Sequence, residues 1–244
     1  MPGLPHIGCS TGTMQATTIT LMDSAQGSAR TVGVLMLATR FPRIAGDIGH
    51  PASLPFPARY RVVAGASPRR VVRERDPALL EPFIAAGRAL VDEGATAITT
   101  SCGFLVLFQQ ALQAALPVPV WTSSLLLLPE LQRRAPAGIV TVDAAALGAD
   151  HLRAAGAAAD TPIEGLAPDC AFQRTLLNDE PELDVDAARA ATVAAAQRLV
   201  ARHPEIETIV LECTNMPPYA DAVKAATGRA VHHLVSLLAQ RLAG

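Results

Sequence analysis

Two segments of this chain, 111 positions apart, carry the same pattern. The first is Ala97-Ile98-Thr99-Thr100-Ser101-Cys102-Gly103-Phe104, the second Thr208-Ile209-Val210-Leu211-Glu212-Cys213-Thr214-Asn215. Each is a short β-branched apolar run, the mark of a buried strand, that ends in a cysteine and passes through a small residue into a helical stretch. The correspondence continues without a gap: Leu112 against Val223, Ala114-Ala115 against Ala225-Ala226, Val120 against Val231. Such a duplication restricts the fold to two halves built alike, and it sets one thiol at the same strand end of each.

The rest of the chain alternates in the same way. Apolar runs at 31–37, 59–64, 97–101, 118–122, 138–142 and 207–212 read as strands, and helical patterns separate most of them. Helices are expected from Pro77, from Gly103 to Leu116, over 124–134, in the Ala-rich stretch up to Ala155, from an N-capping Asp184 to His203, from Pro217-Pro218, and over 233–243. Alternating strands and helices predict an α/β fold: two pseudo-symmetric parallel-sheet α/β subdomains with the active site in the cleft between them. The expected division is a loose leader at 1–30, a first subdomain of 31–122 plus 225–244, and a second of 123–224. In open α/β sheets ligands bind beyond the carboxyl ends of the strands, where both cysteines fall.

Composition narrows the function. Half of the 244 residues are hydrophobic and the formal net charge is −2, which gives no basic surface for nucleic acid or an anionic membrane. No apolar run approaches the roughly 20 residues that span a bilayer. There is no basic-then-apolar secretory leader, and four cysteines without a CxxC fit a reducing compartment, so a cytoplasmic location is expected. Cys9, in the leader, reads as an incidental thiol. The expected partner is a small-molecule substrate, with association of identical chains compatible with the sequence.

A cysteine between a strand and a helix N-terminus faces backbone N–H groups and the positive end of a dipole, which favours the thiolate and can hold a substrate carboxylate. Two such cysteines across a cleft place a base on one side of a carbon and an acid on the other. The residues alone leave two further readings: a pair of buried core thiols, or a disulfide.

Leu211-Glu212-Cys213-Thr214-Asn215-Met216-Pro217 resembles the second-cysteine motif of the aspartate/glutamate/hydantoin racemase superfamily, and Thr100-Ser101-Cys102-Gly103 resembles its first. The resemblance covers the chain from about residue 31. It implies a cofactor-independent two-base racemase or epimerase, with Cys102 and Cys213 as opposed acid and base and Gly103, Phe104, Thr214 and Asn215 around the polar head of an amino-acid-like or hydantoin substrate. The motifs depart from glutamate racemases, which have Asp-Ser after the first strand where the corresponding region here reads Leu37-Ala38-Thr39-Arg40, Asn-Thr where this chain has Gly103-Phe104, and His where it has Asn215. A malonate-type decarboxylase or a maleate-type isomerase of the same superfamily is the alternative, and a non-catalytic protein that captures a small carboxylate is the third.

Other residues are weighed against plainer roles. Thr39 and Arg40 open the long Pro/Gly-rich loop 38–57 and are within reach of a substrate. Glu212, by strand alternation, points away from the thiol and reads as structural. Thr122-Ser123-Ser124 reads as a helix cap, with Thr141 and Asp143 at another strand end. Gly46-Asp47-Ile48-Gly49-His50 reads as a turn, since it lacks the GxGxxG pattern and the P-loop lysine. His203, His232 and His233 show no metal-ligand spacing, and no metal is expected. The single lysine, Lys224, lies three turns past Cys213, which argues against a pyridoxal Schiff base.

Overall fold

The computed structural model describes Gly3 and residues 30–243, so Cys9 and most of the expected leader lie outside the described residues. Among the described residues eight strands form two parallel sheets of four. The first sheet has β1 (Val32–Met36), β2 (Ala58–Val62), β3 (Ala97–Thr100) and β4 (Val120–Trp121) in the order β2-β1-β3-β4. The second has β5 (Ala137–Thr141), β6 (Ile163–Gly165), β7 (Thr208–Leu211) and β8 (Ala230–His232) in the order β6-β5-β7-β8. The two orders are the same arrangement written twice, which is the architecture that the repeat predicts.

Burial explains the sequence pattern strand by strand. The inner strands β1, β3, β5 and β7 are buried at every residue, so their runs are apolar rather than alternating. The edge strand β2 is half exposed and carries Arg59 and Arg61. Strand β4 is two residues long because Pro117 and Pro119 precede it without an N–H to donate, although the Pro119 carbonyl accepts from Ile98 at 2.8 Å.

Among the described residues eight helices cover the sheets: α1 (Leu80–Asp92), α2 (Gln109–Ala115), α3 (Leu128–Leu131), α4 (Ala149–Ala155), α5 (Ala171–Leu177), α6 (Val185–Arg202), α7 (Ala220–Thr227) and α8 (Leu234–Leu242). Asp184 caps α6 as expected, accepting from the amides of Asp186 and Ala187. Three elements differ from the sequence reading. The stretch around Cys170, expected to be irregular, holds β6 and α5, and β8 has no counterpart among the expected strands. Both strands are three residues long, too short to show a period.

The expected return to the first subdomain at 225 also comes later. Residues 230–232 pair with β7 in the second sheet. The chain crosses back only with α8, whose Leu234, Leu237 and Leu238 pack on Val32, Val34 and Met36 of β1. No helix among the described residues is long and apolar enough to cross a membrane.

Candidate active site

Each cysteine sits just past the carboxyl end of an inner strand. Cys102 follows β3 and caps the tight helical segment Gly103–Phe108; Cys213 follows β7 and its carbonyl accepts from Met216 at 3.0 Å. The two strand ends face each other, and both thiols line one pocket. Its walls are mostly apolar, with Leu37, Phe41, Val72, Phe104, Val142, Leu176 and Leu177. Arg43, Ser101, Glu212, Thr214 and Asn215 supply the polar groups. That lining suits a small ligand held by few polar contacts. Both cysteines are free thiols, which removes the disulfide reading.

The pocket by itself does not activate the thiols, contrary to expectation. Burial pushes Cys102 up to about 12, and the neighbouring charge of Glu212 adds to it. Cys102 keeps some accessible surface, yet the protein around it is dense enough for desolvation to dominate. The amide of Phe104 and the charge of Arg43 oppose the rise. Burial likewise holds Cys213 well above its ordinary range, reinforced by Glu212, Cys102 and Asp47 and opposed by the amide of Asn215. The helix-end amides therefore reach the sulfurs as the sequence implies, but loss of solvent outweighs them.

Gly103, Phe104, Thr214 and Asn215 all line the pocket. Phe104 is buried and meets His151 edge-on, with ring centroids 5.2 Å apart. Thr214 donates to the Ser101 carbonyl at 2.7 Å. Asn215 donates through Nδ2 to Asp47, and its Oδ1 lies 3.5 Å from the Cys213 sulfur. Thr39 does not line the pocket. Its hydroxyl accepts from Arg43 at 3.1 Å, and Arg43 also pairs with Asp47 at 3.0 Å. Thr39 thus reaches the site only through Arg43, because the loop after β1 turns its side chain toward that guanidinium.

Sequence reasoning misses or misreads three residues. Glu212 lines the pocket instead of pointing away, because β7 ends at Leu211 and the chain has already turned. Its carboxyl is fully buried, Oε2 accepts from Thr141 at 2.7 Å, and burial lifts it to about 7. Arg43 and Asp47 lie in the long loop 38–57, Asp47 within the stretch read as a turn; their spacing of four is the one available signal. Arg40 ties that loop to Asp179 of the other half, with Nη2 donating to the Asp179 carbonyl at 2.8 Å. Ser123 caps the following helical turn as expected. Among the described residues no cluster of three or more His, Cys, Asp or Glu could hold a metal.

Comparison with known proteins overturns the expected activity while supporting the expected fold. No protein-family model matches the chain. A dimethylsulfoniopropionate lyase of Durusdinium sp. clade D is 31% identical over 227 residues, covering 84% of this chain and 71% of the relative. Dimethylsulfoniopropionate lyase 7 of Emiliania huxleyi (strain CCMP1516) is 30% identical over 217 residues, covering 80% of this chain and 61% of the relative. The chain thus spans about two thirds of the length of these proteins.

Among solved structures, unliganded arylmalonate decarboxylase matches with a TM-score of 0.58 at 18% identity over 88% of this chain and 92% of that one. A glutamate racemase isoform of Bacillus anthracis matches with 0.54 at 14% identity over 88% and 81%. At these identities the structures speak for the fold alone. The expected racemase or epimerase activity, and with it the isomerase class, is overturned: the curated relatives are lyases. The malonate-type decarboxylase kept as alternative is also a lyase and sits better with the relatives than the racemase does. The physical reason is that a pair of facing thiols reports only proton transfer at carbon; the fate of the resulting carbanion depends on whether the substrate carries a leaving group. On its sequence the chain belongs to the dimethylsulfoniopropionate lyase family, carried on the fold of the aspartate/glutamate racemase superfamily.

Proposed function

We propose that this protein cleaves the carbon–sulfur bond of dimethylsulfoniopropionate, or of a closely similar β-sulfonio carboxylate, by β-elimination. The observation that carries the reading is the meeting of Cys102 and Cys213 in one small, largely apolar pocket of a chain with lyase relatives. Cys102 is the base. Arg43 and the Phe104 amide favour its thiolate, whereas Cys213 is further opposed by Cys102 and Asp47 and stays protonated.

The Cys102 thiolate removes the proton from the carbon beside the carboxylate. That C–H pair becomes the double bond, and the C–S pair departs with sulfur as neutral dimethyl sulfide, leaving acrylate and a protonated Cys102. The Cys213 thiol donates a hydrogen bond to the charge that builds on the substrate carboxylate, and the Gly103 N–H, which opens the helical segment, serves the same charge. Protonated Cys102 is the resting form of the free site, and its proton passes to solvent when the next substrate is seated.

The test is release of dimethyl sulfide into the headspace from purified protein and dimethylsulfoniopropionate, with equimolar acrylate in solution. Release by the wild type that is lost in Cys102→Ser supports the reading; release no faster than in buffer sinks it.

A further inference from the structure

Glu212 is the unusual group in this pocket. It has no exposed surface, its Oε2 is satisfied by Thr141, and its Oε1 is buried with no partner. A buried carboxylate oxygen without a hydrogen bond is a costly arrangement that native proteins seldom keep without a use. The cation on the pocket wall is no help: Arg43 is committed to Asp47 and Thr39. The facing half makes room for residue 212, since a Cβ at Gly103 would collide with both its Oε1 and its main-chain carbonyl oxygen.

We propose that Glu212, admitted by Gly103, is the subsite for the positive end of the substrate, a methylated onium group such as a dimethylsulfonium. This rests on the lyase reading and names how that site selects its substrate class. An ammonium with three N–H donors would need three acceptors. A methylated onium needs one negative charge and apolar contact for its methyl groups, which Phe104, Val72, Val142 and Leu37 provide in the same pocket.

The charge arithmetic gives the subsite a second effect. Glu212 opposes ionisation of both thiols. A cation seated against it cancels that opposition, so Cys102 becomes a base only when a substrate of the right charge is present.

The experiment measures binding, not turnover. Calorimetry compares 3-(trimethylammonio)propanoate with its neutral carbon isostere 4,4-dimethylpentanoate, on the wild type and on Glu212→Gln. The wild type is expected to prefer the cation at least about tenfold, equivalent to ~1.4 kcal/mol, and Glu212→Gln to bind the two alike. A second reading needs no variant: the wild-type preference should grow between pH 6 and 8 as Glu212 ionises. Of the groups facing it, Thr141 and Gly103 carry no charge, both thiols are held up out of that range, and Arg43 is paired with Asp47.

An equal preference in Glu212→Gln, or none in the wild type (failure of both probes to bind included), overturns the subsite. A wild type that releases dimethyl sulfide without any preference leaves the lyase reading standing and removes this one. A Glu212-dependent preference in a protein that releases none does the reverse.

Discussion

The hydroxyl of Thr214 donates to the carbonyl of Ser101 over 2.7 Å, so the residue after one reactive thiol is bonded to the residue before the other. The bond is buried and crosses between the two halves, which makes the distance between the sulfurs a property of the backbone rather than of flexible side chains. Thr214→Val keeps the shape and leaves the Ser101 carbonyl unpaired in the interior. A loss of about 1–3 kcal/mol is expected. Thermal unfolding measures it, and a melting temperature equal to that of the wild type would show that the bond holds nothing together.

Glu212 gives the folded protein a pH dependence of known sign. Its folded value, about 7, lies above its ordinary 4.5, so between these limits the native state binds a proton that the unfolded state has released. The contribution of this group is full below pH 4.5 and is lost as the pH rises through 7, on the order of 3 kcal/mol across the window. Glu212→Gln removes the titration. Chemical denaturation at pH 5 and pH 8 should show the wild type losing stability relative to the variant, and parallel behaviour of the two would count against an ionising, buried Glu212.

The two cysteines should not be equivalent. With Cys102 as the proposed base, Cys102→Ser is expected to lower kcat on the order of a thousandfold. Cys213→Ser retains a hydroxyl that can still donate, so roughly a ten- to hundredfold loss is expected. Steady-state kinetics on both variants decides the assignment, and the larger loss at Cys213 would exchange the roles.

Alkylation offers a check without substrate. Because burial and Glu212 hold both thiols high, the free enzyme should react with iodoacetamide at neutral pH more slowly than an exposed cysteine. Mass spectrometry of tryptic peptides after timed exposure reads this directly; fast labelling of Cys102 in the free enzyme would mean that the thiolate is already present.

Arg40 and Asp179 join the loop after β1 to the segment after α5 through side-chain and main-chain contacts. The Arg40 side chain is 69% exposed, so Arg40→Ala should change stability by less than about 1 kcal/mol. Its effect should appear in kcat/KM, since the contact ties together the segments that bring Phe41 and Leu177 to the pocket wall. An unchanged kcat/KM in the variant would show that the placement of that wall does not depend on this pair.

The doubled fold is legible because a repeat of buried strands leaves a repeat in sequence, and Cys102 and Cys213 are legible because they share its register. Gly103, Phe104, Thr214 and Asn215 come with them as their neighbours. Glu212 is misread since strand alternation stops when a strand does, and the end of β7 at Leu211 is set by pairing with β5, which no local pattern records. Arg43 reaches the pocket by folding of a long loop, and Asp47 behind it meets Asn215 across 168 positions. The reaction class is not legible, because the leaving group belongs to the substrate.

The crossing of α8 back to the first sheet bears on how the chain is made. Val32, Val34 and Met36 emerge early from the ribosome, but the leucines that cover them, Leu234, Leu237 and Leu238, are translated some two hundred residues later. The first half cannot close its core while it is being synthesised, and must wait, with one apolar face open, until the second half has been made. The order of translation thus runs opposite to the order of completion: the half that is born first is the last to be sealed.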